Sequence, residues 1–191
     1  MEKVGSSDQV NMVVQWASTA ARNVKRVYVE RDTDTNRVTS PVVEELGIVD
    51  MGNVEVLNQF VRWGVDHYPA KKYFIAVWNH GSGWRLQALN SKNGGESDLT
   101  AQDISYDDFS GNHITTQQLG QAMREAARVI GHKVDLYGSD ACLMAMAEVA
   151  DEMADSVTAF VGSQELEPGE GWPYDLFSAR WVARPTVSGQ D

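Results

Sequence analysis

The chain has 191 residues and 42% apolar content, enough to bury one substantial core, so general disorder is excluded and one folded domain is expected. A formal charge of −11, with no offsetting basic cluster, argues against nucleic-acid binding and suits a partner carrying positive charge. The single cysteine excludes an internal disulfide and a cysteine-rich metal site. It does not fix the compartment.

No apolar run is long enough to span a bilayer, so no membrane partner is expected. The opening Met1-Glu-Lys-Val-Gly-Ser-Ser-Asp8 lacks the basic start and apolar middle of a secretion signal. Val10 to Trp16 and Arg26 to Glu30 read as two neighbouring strands, with Ala17 to Asn23 as the connection. The polar Arg31–Arg37 loop places Asp32, Asp34 and Asn36 like the start of a calcium loop, without the glycine and closing glutamate that such a loop needs.

Asn53 is placed to cap a helix from Val54 to about Tyr68, with Val54, Leu57, Phe60, Val61 and Val65 facing inward and Pro69 closing the exit. His67, at the end of this helix, is read as structural. Lys72 to Trp78 forms a nearly unbroken apolar run, the pattern of a strand covered on both faces. It runs into Asn79-His80-Gly81-Ser82-Gly83, so His80 falls at a strand's carboxyl end. From about 85 to 113 no periodicity is seen, and a long exposed loop is expected.

Thr115 with Gln118 has the form of a capping box. Leu119, Ala122, Met123, Ala126 and Val129 then supply a helical stripe that Gly131 can end. Val134 to Tyr137 reads as the next strand, and Gly138 to Ala141 as the turn that delivers Cys142. Leu143, Met146, Ala147, Ala150 and Ala154 give a further helical stripe. That places Cys142 at or just before a helix's first turn, where free N–H groups favour a thiolate. The competing reading of Cys142 is a small buried hydrophobe. Ser156 to Val161 adds a short strand, and the Glu-rich stretch from Gln164 to Pro173 loops over the same edge. Strands alternating with helices indicate a mainly parallel sheet with helices on both faces.

In such sheets chemistry gathers at the carboxyl ends of the strands, where His80 and Cys142 can meet although far apart in the chain. Ser82, between two glycines, is a rival nucleophile that lacks the strand–elbow–helix context. Asn79 can orient His80 but is not counted as a catalytic group. His113 is read as solvated, and His132 as remote from this edge.

The segments His80-Gly-Ser-Gly-Trp84 and Asp140-Ala-Cys-Leu-Met144 together resemble the clostripain family of cysteine peptidases, which shares its fold with caspases and gingipains. The likeness extends through Val49-Asp-Met-Gly52 and Glu167-Pro-Gly-Glu-Gly-Trp-Pro-Tyr174. It implies a caspase-like three-layer αβα sandwich, with residues 1–191 forming one partial peptidase domain. Family members carry a further strand and helix before Val10 and helical sequence after Tyr174, so truncation at both ends is expected.

The implied reaction is hydrolysis of peptide bonds after Arg or Lys by a Cys–His dyad, with Cys142 attacking and His80 acting as base and then acid. The backbone N–H groups of Gly81 and Cys142 are the expected oxyanion donors. Asp140 is a candidate acid for the pocket that takes the basic side chain; its competing role is a cap on the following helix. A second acid is to be found among Glu165, Glu167 and Glu170, without a choice between them. Ser139 departs from the apolar residue that is usual there, which implies a more polar pocket floor.

In peptidases of this resemblance the long loop is nicked after a basic residue. Lys92 is the more accessible candidate and Arg85 the other, and the competing reading is a passive surface loop. No cofactor is required by the sequence, no metal site is assigned, and calcium stays open as an activator because some relatives use it. The expected partners are peptides or proteins with exposed Arg or Lys, and the resemblance implies a secreted or extracytoplasmic setting. The alternative is a catalytically silent module on the same frame.

Overall fold

A computed structural model describes residues 1–18, 20, 22–34, 36–84 and 104–188, which fall into two compact units. The first comprises Met1–Val49 with the segment from Trp172 onward, and the second Asp50–Gly171.

In the first unit, β1 (Val13–Ser18), β2 (Asn23–Tyr28) and β3 (Val42–Gly47) form an antiparallel sheet in that order. The two expected strands are neighbours as read, but β2 starts three residues earlier than expected and β3 was not anticipated. In β3, Val42 and Val43 are adjacent and both exposed, and the β2–β3 register shifts twice, so the period-two pattern that marks a half-buried strand is lost. Val24 and Val27 are buried in the central strand, together with Arg26. The Arg26 guanidinium pairs with Glu44 at 2.8 Å and donates from Nε to Gln15 at 3.0 Å, which compensates the burial of a charge. The unit also contains α4 (Tyr174–Ala183), in the region where the resemblance implied helical sequence.

The Arg31–Arg37 loop is held by its own acids. Asp32 Oδ1 accepts from the Asp34 N–H at 2.6 Å, and Asp34 accepts from the Asn36 N–H and from Arg37. Among the described residues no group of three His, Cys, Asp or Glu side chains is arranged to hold a metal ion.

In the second unit, β4 (Phe74–Trp78), β5 (Leu136–Asp140) and β6 (Phe160–Gly162) form a parallel sheet in that order. Trp78 stands opposite Asp140, so β4 and β5 end level. β5 runs three residues beyond its expected end, because Gly138, Ser139 and Asp140 continue the ladder that was read as a turn. Helix α1 (Val54–His67) starts at Asn53, whose side chain accepts from the Glu55 N–H at 2.9 Å. Helix α2 (Thr116–Ile130) has the expected capping box of Thr115 and Gln118, and ends at Gly131 with φ +88°. Leu119, Ala122, Met123 and Ala126 are buried as read, and they join Val134, Tyr137, Met144, Val149 and Met153 in the core.

Helix α3 covers only Ala147–Met153. The expected stripe of Leu143, Met146, Ala147, Ala150 and Ala154 is replaced by buried Met144, Val149 and Met153. The helix starts late because the preceding segment is bound elsewhere: the Leu143 N–H donates to the Glu165 carbonyl at 3.1 Å, and the Ala145 N–H to the Ser163 carbonyl at 2.8 Å. Leu143 has φ +61°, which interrupts any helical run. No helix among the described residues is long and apolar enough to cross a membrane.

Candidate active site

The level ends of β4 and β5 bring two loops together. Asn79 follows β4, and its N–H donates to the Asp140 carbonyl at 3.3 Å. Its side-chain Oδ1 accepts from the His80 N–H at 2.7 Å and from the Tyr106 N–H at 3.0 Å. Asn79 thus ties the histidine loop to the end of β5 and to a third segment. Gly81 lies directly against the cysteine loop: a Cβ there would stand 2.6 Å from the Cys142 carbonyl oxygen and 2.8 Å from the Ala141 Cβ. Only a residue without a side chain allows that approach. The structure therefore brings the His80–Gly81 and Ala141–Cys142 segments into contact across adjoining strands, with His80 exposed and Cys142 half-buried.

Cys142 does not stand at a helix mouth. Met146 is the N-cap of α3 and makes no side-chain cap bond, so the expected dipole assistance from this helix is out of range. A loop amide is in that place instead, since the Glu167 N–H donates to Cys142 Sγ at 3.2 Å. Burial as an inert hydrophobe does not describe Cys142, which is a free, half-buried thiol.

Asp140 is 1% exposed and ends β5. It does not cap α3, which begins seven residues later, so the competing role is overturned. Gly171, at φ +70°, packs against its carboxylate: a Cβ there would stand 2.7 Å from Asp140 Oδ2 and 2.6 Å from Trp78 Nε1. The expected polar floor from Ser139 is not found. Its Oγ donates to the Tyr137 hydroxyl at 3.0 Å, and both side chains are buried on the opposite side of the strand from Asp140.

The three candidate glutamates now differ. Glu165 engages Leu143 through its carbonyl, Glu167 engages Cys142 through its N–H, and Glu170 directly precedes the glycine that touches Asp140. The side chains of Glu165 and Glu170 are exposed and that of Glu167 half-buried.

Residues 104–107 depart from the expected exposed loop over 85–113, being buried or half-buried, whereas 108–112 are exposed as read. Ile104 is fully buried and bridges both Gly81 and Ile114. The Ser105 hydroxyl donates to the Met51 carbonyl at 2.9 Å. Burial opposes ionisation of Asp107, yet the backbone N–H groups of Met51, Ser110 and Phe109 outweigh it and hold its carboxyl below the usual aspartate range. Asp50 accepts from Ser110 and Asn112. The Asp50-Met-Gly52 stretch is therefore an anchor for this segment. Lys92 and Arg85 lie outside the described residues.

The other histidines serve their own elements. His67 stacks on Trp63 with its Nδ1 2.9 Å from the Trp63 carbonyl oxygen, and His132 Nδ1 lies 2.7 Å from the Lys133 carbonyl oxygen. His113, expected to be solvated, is half-buried. Sequence reasoning missed the bridging role of Asn79 and the Glu167 amide. The first had a signal in its place beside His80; the second had none, because any residue supplies an N–H.

Residues 1–188 match the family model described as the clostripain family, Peptidase_C11. The chain belongs to the clostripain family. It is 30% identical over 160 residues to clostripain from Hathewaya histolytica, an alignment covering 74% of this chain and 27% of that protein. The structure of a secreted C11 cysteine protease from Bacteroides thetaiotaomicron in complex with an irreversible peptide inhibitor is similar, with a TM-score of 0.66 and 24% identity over 92% of this chain and 44% of that one. That of an inactive zymogen C11 protease from Parabacteroides distasonis has a TM-score of 0.65 and 22% identity, covering 91% of this chain and 43% of that one. The clostripain-family chain thus spans less than half the length of each of these relatives. Its fold is the caspase-like α/β fold that the two motifs implied.

Proposed function

We propose that the chain carries the catalytic centre of a cysteine endopeptidase that cuts after Arg or Lys, with Cys142 as nucleophile and His80 as general base and acid. The observation that carries this reading is the packing of Gly81 against the Cys142 backbone, which supports a working partnership between the two motifs. Cys142 Sγ, relieved of its proton by His80, attacks the substrate carbonyl carbon. The amine leaves with the proton from His80, and water then releases the acid product from the thioester. Gly81 and Cys142 N–H groups are the oxyanion donors in this reading, and the Glu167 N–H holds the sulfur before substrate arrives.

Asp140 supplies the acid for the basic side chain, and Glu170, next to the glycine that touches it, is the favoured second acid. Its partners are then peptides or proteins with exposed Arg or Lys. Nicking at Lys92, calcium activation and a secreted setting belong to the same reading; the last accords with the secreted neighbour from Bacteroides thetaiotaomicron.

The test is turnover of short fluorogenic peptides ending in Arg, Lys or Ala at the cleavable bond. Release from Arg and Lys substrates, lost in Cys142→Ala and reduced at least about a thousandfold in His80→Ala, is expected. The silent-module alternative draws support from the 1% exposure of Asp140, which leaves the acid covered. It prevails if folded protein, with or without a cut near Lys92, turns over none of the three.

A further inference from the structure

Ile104, Ser105, Tyr106 and Asp107 form a short segment that is gripped at both ends. At one end Ile104 is bridged antiparallel to Gly81, the residue after His80, and the Tyr106 N–H donates to Asn79 Oδ1 at 3.0 Å. The same oxygen accepts from the His80 N–H at 2.7 Å, so one acceptor fixes Tyr106 and His80 together. At the other end Asp107 is 8% exposed with both carboxylate oxygens engaged. Its Oδ1 accepts from the Phe109 and Ser110 N–H groups at 2.8 and 3.1 Å, and its Oδ2 from the Met51 N–H at 2.9 Å.

Between the two grips Ser105 has φ +58°, in the left-handed region that a residue with a side chain rarely occupies. Such a conformation persists only where its surroundings hold it, and strain of this kind gathers at functional sites. Here the hold is Met51, whose carbonyl accepts from the Ser105 hydroxyl at 2.9 Å while its N–H is taken by Asp107. Both backbone groups of Met51 are thus bound by the residues on either side of Tyr106. We infer that Asp107 is a positioning residue for His80, acting through Tyr106 and Asn79. Without its carboxylate Ser105 relaxes toward extended backbone, the Tyr106 N–H turns from Asn79, and the His80 backbone loses its shared acceptor. This rests on the reading of His80 and Cys142 as the reacting pair.

The experiment compares the parent with Asp107→Asn, whose single side-chain oxygen can serve Met51 or the Phe109–Ser110 turn but not both. Asp107→Ser, whose hydroxyl still closes that turn, takes its place if it does not fold. On the fluorogenic Arg peptide kcat is expected to fall about tenfold, with KM changed by less than about twofold. In an Asn79→Ala background the same substitution is expected to add less than about twofold. With the four histidines labelled with 15N, the His80 backbone amide resonance, identified by its absence from His80→Ala, is expected to move in Asp107→Asn while those of His67 and His132 stay. An equal fall of kcat in both backgrounds, or none in either, removes Asp107 from the positioning of His80 while the peptidase reading stands. A parent that turns over no peptide overturns the peptidase reading, and the labelled amide then decides the placement: unmoved in the variant it overturns the proposal, and moved it upholds it.

Discussion

Asn79 shows how much of the proposed catalytic centre is held by groups outside its chemistry. Its side-chain oxygen accepts two backbone N–H groups, from His80 and Tyr106, while its own N–H reaches Asp140. Asn79→Ala is expected to cost about 1–2 kcal/mol in urea unfolding, from amides left without their acceptor. It is also expected to lower kcat on an Arg peptide by at least about tenfold, because the backbone that carries His80 loses its anchor. Asn79→Asp keeps the acceptor and should recover most of both. The meeting of the His80–Gly81 and Ala141–Cys142 segments at neighbouring strand ends was legible in the sequence, because each follows or ends an apolar strand run. The Glu167 amide on the sulfur was not, since backbone contacts depend on how a loop folds.

Between elements, Glu125 on α2 is the clearest device. Hydrogen bonds from Arg128 and then from Arg62 on α1, the latter at 2.6 Å, bring its carboxyl down to about 2 from an ordinary 4.5. A depressed folded-state value means a contribution fully present above pH 4.5 and lost as pH falls from there through about 2. Acid unfolding followed by circular dichroism should therefore be less steep over that window in Glu125→Gln than in the parent. Helix α2 itself was legible from its capping box, its stripe and Gly131, since each is a local signal. The start of α3 was not: Ala141 to Ala147 is apolar throughout, so the run carries no phase, and the loop after β6 decides where the helix begins. Strand β3 was hidden in the same way by its two register shifts.

At the scale of the molecule, both flanks of residues 85–103 are anchored within the second unit. On one side β4 pairs with β5 along five residues; on the other Ile104 bridges Gly81 and Ile114 and leads into α2. A cut near Lys92 should accordingly give two bands on a denaturing gel and one peak on size exclusion, with the fragments parting only in denaturant. Separation of the fragments in native buffer would show that these pairings do not suffice. The parallel sheet of this unit was legible from alternating strands and helices, and its caspase-like plan from the resemblance of the two motifs, whereas the three-stranded antiparallel sheet of the first unit was seen only as two neighbouring strands. The fastening of Leu143 and Ala145 to residues 163 and 165 has a mechanical result. The Cys142 loop is thereby fastened to the ribbon that follows β6, so any displacement of that ribbon is passed on to the thiol.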